Sequence, residues 1–206
     1  MTQLGFYFDS DRCTSCKSCV MACKDKNDTL VGLKYRSLID YGGGTWDDQG
    51  GIPVPHDVFV YGVSYACMHC DAPACIAVCP TDSIQKREED GVVWIDQSTC
   101  IGCGSCVTAC PYAAPRLDAE KGVAGKCDFC KDYLDSGGSP ACVDACIMRC
   151  LEWGDIEELR STYGDNAQVE PLASPDTTGP NYVIKPSRFW KEGIGGSIIN
   201  AEEELI

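Results

Sequence analysis

The cysteines place the strongest constraint on how this chain can fold. The 206 residues include 17 cysteines, and all but one of these form four groups of four with short internal spacings. The groups are Cys13, Cys16, Cys19 and Cys23; Cys67, Cys70, Cys75 and Cys79; Cys100, Cys103, Cys106 and Cys110; and Cys127, Cys130, Cys142 and Cys146. Such a density of sulfur is typical of a disulfide scaffold, a zinc protein or an iron–sulfur protein.

Disulfide bonds fit this pattern poorly. The N-terminal stretch MTQLGFYFDSDRC has no basic region followed by an apolar run, so a secretory signal and an oxidising compartment are not indicated. The run C-x2-C-x2-C also brings three sulfurs into one short loop, where pairwise bonds would leave one sulfur over. The spacing therefore favours a metal-binding chain.

The third group discriminates between zinc and iron–sulfur clusters. CIGCGSCVTACP matches C-x2-C-x2-C-x3-C-P, the ferredoxin run in which three thiolates hold one [4Fe–4S] cube and the fourth reaches another cube. Structural zinc needs only two C-x2-C pairs, so a third closely spaced cysteine has no role there. Because the fourth cysteine points away from the first cube, such groups predict cubes in pairs, and four groups predict two pairs.

The stretch ACVDACIMRC ends the fourth group and contains one additional cysteine. In the other groups the fourth ligand follows the third after three residues, and the eleven-residue gap after Cys130 ends at Cys142. This spacing favours Cys142 and Cys146 as ligands and leaves Cys150 as a small buried hydrophobic residue. A register in which Cys146 and Cys150 bind instead remains open.

An internal repeat indicates the organisation of the chain. FYFDSDRCTSC at 6–16 and VWIDQSTCIGC at 93–103 each predict a short strand leading into a cluster-binding loop. SIQKREEDGVVWID predicts a hairpin with its turn at Asp90-Gly91. We predict an α+β fold of two ferredoxin-like 2[4Fe–4S] modules, one inserted in the other, with long connecting loops and an extended C-terminal tail. Pairing of the first group with the second, and of the third with the fourth, remains an alternative.

The predicted boundaries follow from this arrangement. Residues 59–111 form the inserted module with the second and third cysteine groups. Residues 1–33 together with 112–164 form the discontinuous module with the first and fourth groups. Residues 34–58, which are rich in glycine and proline and lack a helical period, are predicted to be a loop insertion. Residues 165–206 are irregular and contain several prolines, and we predict an extended tail that docks on a partner.

One helix has clear end signals outside the cysteine groups. In GDIEELRSTYG, Asp155 is placed to cap the first turn, Glu158 follows three residues later as in a capping box, and Gly164 ends the pattern.

Charge and composition exclude several functions. The net charge of −14 excludes nucleic acid as a partner, because phosphate binding requires clustered lysine and arginine. No apolar run reaches the length of about 18 residues that a direct membrane span needs. No Ser–His–Asp set, phosphate loop or pair of acids is recognisable, so we predict no catalytic site in this chain.

Several polar residues close to the cysteines have two interpretations. His69 either donates to a cluster sulfur or fills space as a buried ring. Lys17, Lys126 and Arg149 either offset the negative charge of a cluster or are ordinary surface cations.

The four groups, their order and the eleven-residue gap together resemble the iron–sulfur electron-transfer (beta) subunit of dimethyl sulfoxide reductase and its molybdopterin oxidoreductase relatives. The similarity extends over nearly the whole chain and includes GFYFDSDRCTSC, CMHCDAPAC, DGVVWID, CIGCGSC, KCDFC, PACVDAC, GDIEELR and NYVIKPS. Some relatives, the respiratory nitrate reductases, have a tryptophan at the position of Cys103 and carry a three-iron cluster there. The cysteine here implies four [4Fe–4S] clusters.

By the family's pattern, each cluster takes three cysteines from one group and one from another. The implied ligand sets are Cys13, Cys16, Cys19 and Cys146 for the first cluster; Cys23, Cys127, Cys130 and Cys142 for the second; Cys67, Cys70, Cys75 and Cys110 for the third; and Cys79, Cys100, Cys103 and Cys106 for the fourth.

The resemblance also implies partners. In such complexes electrons pass between a membrane-anchor subunit that oxidises quinol and a catalytic subunit with a bis-pterin-guanine-dinucleotide molybdenum or tungsten centre. The first cluster pair would face the catalytic subunit and the second pair the membrane. The chain is expected at the membrane through its partners, on the outer, periplasmic-type face by co-translocation, or alternatively in the cytoplasm. The same role in a formate dehydrogenase, a polysulfide or thiosulfate reductase or a catechol dehydroxylase, and a stand-alone soluble polyferredoxin, are the alternatives.

Overall fold

Short strands and helices, joined by the cysteine loops, make up the chain. The computed structural model describes residues 2–204. The strands are β1 (Leu4–Asp9), β2 (Arg36–Asp48), β3 (Pro53–Ala66), β4 (Ile84–Lys86), β5 (Val93–Ile95), β6 (Arg116–Asp118), β7 (Val123–Gly125), β8 (Leu151–Asp155), β9 (Tyr182–Lys185) and β10 (Ser197–Ile198). The helices are α1 (Ser18–Asn27), α2 (Ala74–Ala77), α3 (Ser105–Ala109), α4 (Lys131–Asp135), α5 (Ala141–Asp144), α6 (Ile156–Tyr163) and α7 (Ala201–Glu204), with a 3₁₀ turn at Pro175–Thr177. Residues 1, 205 and 206, at the ends of the predicted segments 1–33 and 165–206, lie outside the described residues.

The predicted strand before the first cysteine loop is the central strand of a three-stranded sheet. β1 pairs antiparallel with β8 and parallel with β9. Phe6 and Phe8 are buried in the main core, whereas Tyr7 packs with Ile156 and Leu159 of α6. The sheet therefore anchors the first cysteine loop to the segment that follows the fourth cysteine group.

The prediction of a loop at residues 34–58 is wrong, because most of this segment belongs to a long β-hairpin. β2 and β3 pair antiparallel, with a register shift between Gly43 and Thr45. Gly44, at the shift, has a φ of 106°, which glycine adopts without steric cost. β3 also crosses the predicted module boundary between residues 58 and 59 without a break. The aromatic and β-branched residues of FVYGVSYA were the signal for a strand that the glycine content obscured.

Two small hairpins support the second and third cysteine groups. β4 and β5 pair antiparallel on either side of Asp90-Gly91, which confirms the predicted hairpin. β6 and β7 form another hairpin. The short helices that follow the cysteine loops contact one another in two combinations, α2 with α3 and α1 with α5.

Helix α6 begins and ends where its sequence indicates. The side chain of Asp155 accepts hydrogen bonds from the backbone N–H groups of Glu157 and Glu158, at 2.9 and 3.3 Å. Gly164 ends the helix with a φ of 88°. The predicted N-cap and the predicted end are both confirmed.

The segment 165–206, predicted to be an extended tail on a partner, packs to a large extent on this chain. β9 extends the sheet of β1, and β10 pairs with β2. Val169, Leu172 and Tyr182 are buried in the main core. The apolar residues of YVIK therefore complete the chain's own core, and this corrects their interpretation as partner contacts. Within residues 2–204, no helix is long and apolar enough to cross a membrane.

Candidate metal centres

Three small cavities, each of about 20 Å³, are lined by cysteine side chains. The first is lined by Cys67, Cys70, Cys75 and Cys110. The second is lined by Cys79, Cys100, Cys103 and Cys106. The third is lined by Cys13, Cys16, Cys19, Cys146 and Cys150. In each cavity three cysteines of one group meet at least one cysteine of another group.

The remaining cysteines, Cys23, Cys127, Cys130 and Cys142, belong to the first and fourth groups. Helix α1 contains Cys23 and helix α5 contains Cys142, and these two helices contact one another. Burial raises the pKa of Cys23 to about 12, to which Cys142 and Cys130 contribute. The first and fourth groups therefore also meet at these helices.

The four C-x2-C turns share one backbone feature. The residue before the second cysteine has a positive φ in each turn; these residues are Ser15 (53°), His69 (45°), Gly102 (65°) and Phe129 (63°). The N–H groups of Ser15 and Phe129 donate to the sulfurs of Cys13 and Cys127, each at 3.4 Å. Left-handed residues turn backbone N–H groups towards the inside of a loop, which makes a concavity suited to an anionic group.

Other segments donate to the sulfurs from outside the cysteine loops. Thr178 Oγ1 donates to Cys70 Sγ at 3.2 Å, and the backbone N–H of Ala124 donates to Cys100 Sγ at 3.4 Å. Ser64 Oγ lies 3.4 Å from Cys19 Sγ. Such donors stabilise a thiolate and are one of the means by which a protein adjusts the potential of a cluster.

The sets of cysteine sulfurs fit a [4Fe–4S] cube better than a single metal ion. Burial raises the pKa of Cys75 to about 12 and that of Cys70 to about 11, so a metal must displace protons in order to bind them. Within residues 2–204, no group of three or more His, Cys, Asp or Glu side chains is placed to hold one metal ion. Four sulfurs spread around a cavity suit a polynuclear iron–sulfur group.

Only Cys16 and Cys103 of the 17 cysteines are exposed. They occupy equivalent places in the first and third groups, and each sulfur lies 3.4 Å from a serine hydroxyl two residues later, Ser18 or Ser105. Hydrogen bonding by that serine lowers the pKa of each thiol. Two of the four cysteine sets therefore reach the protein surface.

His69 lies in the interior between the cysteine sets. Its Nδ1 accepts a hydrogen bond from the N–H of Val93 at 2.9 Å, and its ring lies edge-on to Phe129 with the centroids 5.2 Å apart. Burial lowers the pKa of His69 well below its usual value, so the ring is neutral and Nε2 carries the proton. Nε2 has no hydrogen-bond partner within the described part of the chain.

The cations near the cysteines divide into two kinds. Lys126 is buried and donates to the carbonyl oxygens of Val93 and Cys127, the latter at 2.9 Å. Lys17 instead pairs with the exposed Glu203. Arg149 is exposed and donates to the carbonyl oxygen of Asp144 at 3.0 Å. The interpretation as surface cations therefore suits Lys17 and Arg149 but not Lys126.

Sequence reasoning missed Arg36, which is only 1% exposed and faces cysteines of the first and fourth groups. It lies in a segment that was predicted to be a loop insertion. A lone arginine there carried no signal, because its position depends on the pairing of β2 with β3.

Cys150 lies beside the ligand candidates of one cavity. Its sulfur is 3.5 Å from that of Cys146, and its backbone N–H donates to Cys146 Sγ at 3.4 Å. Hydrogen bonding to Cys13 raises the pKa of Cys150 and lowers that of Cys13. The choice between Cys146 and Cys150 as ligand stays a prediction.

Known proteins resemble this chain over most of its length. Residues 58–156 match the model of a 4Fe-4S dicluster domain, and residues 4–25 match that of a 4Fe-4S binding domain. The chain is 48% identical over 186 residues to YnfG of Escherichia coli, a probable anaerobic dimethyl sulfoxide reductase subunit, and the match covers 90% of each protein. It is 46% identical over 189 residues to the B subunit of anaerobic dimethyl sulfoxide reductase from Haemophilus influenzae, with 92% of each covered. It is 39% identical over 151 residues to the thiosulfate reductase electron transfer subunit PhsB of Salmonella typhi, covering 73% of this chain and 74% of the relative.

Proposed function

This chain belongs to the family of the iron–sulfur B subunits of dimethyl sulfoxide reductase, and from that premise we propose that it is a non-catalytic electron-transfer subunit with four [4Fe–4S] clusters. The observation that carries the proposal is the lining of three cavities by cysteines of two groups each, together with the contact of α1 with α5, which contain Cys23 and Cys142. When bound, such clusters accept and release single electrons.

Each cluster takes three ligands from one group and one from another. The sets are Cys13, Cys16, Cys19 and Cys146; Cys23, Cys127, Cys130 and Cys142; Cys67, Cys70, Cys75 and Cys110; and Cys79, Cys100, Cys103 and Cys106. The shared cavities support the first, third and fourth sets. The contact of α1 with α5 supports the second set, because these helices contain Cys23 and Cys142. Because each ligand set combines two cysteine groups, a cluster forms only after two segments that are far apart in the sequence are in contact.

The ligand sets group the chain into two modules, one within the other. The outer module joins residues 1–33 to 112–164 and the inner module spans 59–111, with β3 shared across its start. Contact of α1 with α5 and of α2 with α3 supports this nesting, because each contact joins the two cysteine groups of one module.

The chain's own residues hold the cysteines, exclude water and donate to the sulfurs. Most of the cysteines are buried or half-buried, which limits access of water and oxidants to the centres. Cys16 and Cys103 are the exceptions, and they belong to the first and fourth clusters. Electrons enter and leave the chain at these two ends.

The exposed cysteines of the first and fourth clusters indicate where the partner subunits dock. A catalytic subunit with a bis-pterin molybdenum or tungsten centre docks near the first cluster, and a membrane-anchor subunit that exchanges electrons with quinol docks near the fourth. The chain then lies at the membrane through these partners, on the outer, periplasmic-type face. The relatives are subunits of dimethyl sulfoxide and thiosulfate reductases, which supports a reductase complex.

Metal analysis of the purified complex tests this function. We expect about 16 iron and about 16 labile sulfide per chain, with no stoichiometric zinc. Cys75→Ser should remove the signal of one cluster and leave the others, since Cys75 lines only the cavity of the third cluster. Stoichiometric zinc, or iron near half the expected value, would refute four cubes.

A further inference from the structure

Arg36 is a cation buried in the interior of the protein. It begins strand β2 and is 1% exposed, and Lys126 is the only other cationic side chain buried within the described residues. Among residues 2–204, no carboxylate forms an ion pair with Arg36, and its Nε and Nη2 have no hydrogen-bond partner. An unpaired buried charge costs several kcal/mol, so Arg36 requires a counter-charge close by.

The contacts of the guanidinium fix where that counter-charge lies. Nη1 donates to Ser64 Oγ at 3.2 Å, and the same oxygen lies 3.4 Å from Cys19 Sγ. The group also lies over the ring of Phe6, 4.8 Å from its centroid. Phe6 stacks on Phe129, with ring centroids 4.2 Å apart, in the turn between Cys127 and Cys130. Arg36 is thus held between the first and fourth cysteine groups.

The cysteines around Arg36 belong to two proposed clusters. Burial alone would lower the pKa of the guanidinium, but four neighbouring thiolates raise it above its usual value. In decreasing order of effect these are Cys142, Cys19, Cys127 and Cys23. Three of the four are proposed ligands of the second cluster, and Cys19 is a proposed ligand of the first.

We propose that Arg36 is the shared counter-ion of the first and second clusters and sets their reduction potentials. This inference rests on the proposed function. The Nε–H and Nη2–H groups, which have no partner among residues 2–204, would be available to donate to sulfurs of these centres. Reduction adds one negative charge to a centre, and a fixed cation nearby stabilises that state, so Arg36 raises both potentials. The first and second clusters are affected, and the third and fourth clusters are affected much less.

A change in potential that is concentrated in the first and second clusters distinguishes this role from a purely structural one. An arginine that only filled space would change iron content or stability when replaced, but it would leave the potentials of intact clusters alone. Arginine keeps its charge at any accessible pH, so the effect is the same across the pH range in which the protein is stable.

The test is a redox titration of each cluster, followed by electron paramagnetic resonance, in the complex purified without oxygen. The variants are Arg36→Met, which removes the charge, and Arg36→Lys, which keeps it. Arg160→Met is the matched control, since Arg160 pairs with Glu157 on α6 away from the cysteines. In Arg36→Met, we expect the ratio of reduced to oxidised form at a fixed potential to fall about tenfold for the first and second clusters, which is about 59 mV for a one-electron couple. The third and fourth clusters should shift much less in the same direction.

The lysine variant should restore most of this shift, and the Arg160→Met control should show none. Unchanged potentials in an Arg36→Met protein with full iron would overturn the proposal, and so would an equal shift of all four clusters. If neutral variants fail to load iron, selective loss of the first two signals that Arg36→Lys restores supports the counter-ion role. Loss that the lysine variant does not restore contradicts it.

The iron content of the unaltered protein separates failure of this inference from failure of the proposed function. About 16 iron per chain with no shift in Arg36→Met would reject the role of Arg36 alone. A lower iron content in the unaltered complex would reject the four-cluster assignment.

Discussion

Thr178 Oγ1 donates a hydrogen bond to Cys70 Sγ at 3.2 Å, although 108 residues separate them in the chain. Thr178 is 3% exposed, and the neighbouring backbone pairs with the second cysteine group through Ala72 N–H and the Thr178 carbonyl oxygen at 3.0 Å. Thr178, which comes late in the chain, therefore lines the same cavity as Cys67, Cys70 and Cys75 of the second cysteine group.

Thr178→Val should lower the potential of the third cluster without loss of iron. A hydrogen bond to a ligand sulfur stabilises the more negative state, and its removal withdraws about 1 kcal/mol, equivalent to about 40 mV for one electron. The measurement is the midpoint potential of each cluster in the purified complex. Thr177→Val is the matched control, because Thr177 is the exposed neighbour of Thr178 in the same turn. An equal shift in both variants would show that the hydrogen bond has no specific effect.

Replacement of Cys150 should leave all four clusters in place, whereas replacement of Cys146 should remove one. Both sulfurs line the cavity of the first cluster, so Cys150→Ala and Cys146→Ser form a matched pair. We expect about 16 iron per chain in Cys150→Ala and about 12 in Cys146→Ser. The reverse result would mean that Cys150 is the ligand and that the register of the fourth group is shifted by four residues.

Two glycines of the third group should differ sharply in their tolerance of alanine. A Cβ on Gly102 would lie 2.1 Å from the carbonyl oxygen of Gly122, so the β6–β7 turn would have to move. A Cβ on Gly104 meets nothing within 4 Å, and the cost there is only the left-handed backbone, about 1–2 kcal/mol. Gly102→Ala should lose the fourth cluster's signal and Gly104→Ala should retain it. Similar spectra for the two variants would contradict this account of the loop.

Local features of the fold could be predicted from the sequence. The strands before the first and third C-x2-C loops, the hairpin around Asp90-Gly91 and the cap of α6 at Asp155 depend on residues close together in the chain. The spacing of the cysteines within one group is also a local feature, because it reflects the length of the loop that is proposed to surround one cluster. These features were therefore accessible without a structure.

The hairpin of β2 and β3 and the course of the tail were not accessible in this way. Glycine and proline in residues 34–58 indicated a loop, but the pairing of β2 with β3 outweighs these local preferences. The position of Arg36 follows from the pairing of β2 with β3. The position of Thr178 follows from the packing of residues 165–206 against the second cysteine group. Both depend on contacts between residues far apart in the chain, which the spacing of one sequence does not encode.

The central claim is that four cubes are each held by cysteines of two groups. Its most direct test is anomalous X-ray scattering at the iron edge from crystals of the complex. The account predicts four iron peaks in this chain, one for each proposed ligand set, with Cys146 beside the peak of Cys13 and Cys110 beside that of Cys67. Fewer than four peaks, or a peak enclosed by Cys13, Cys16, Cys19 and Cys23 of one group alone, would contradict it.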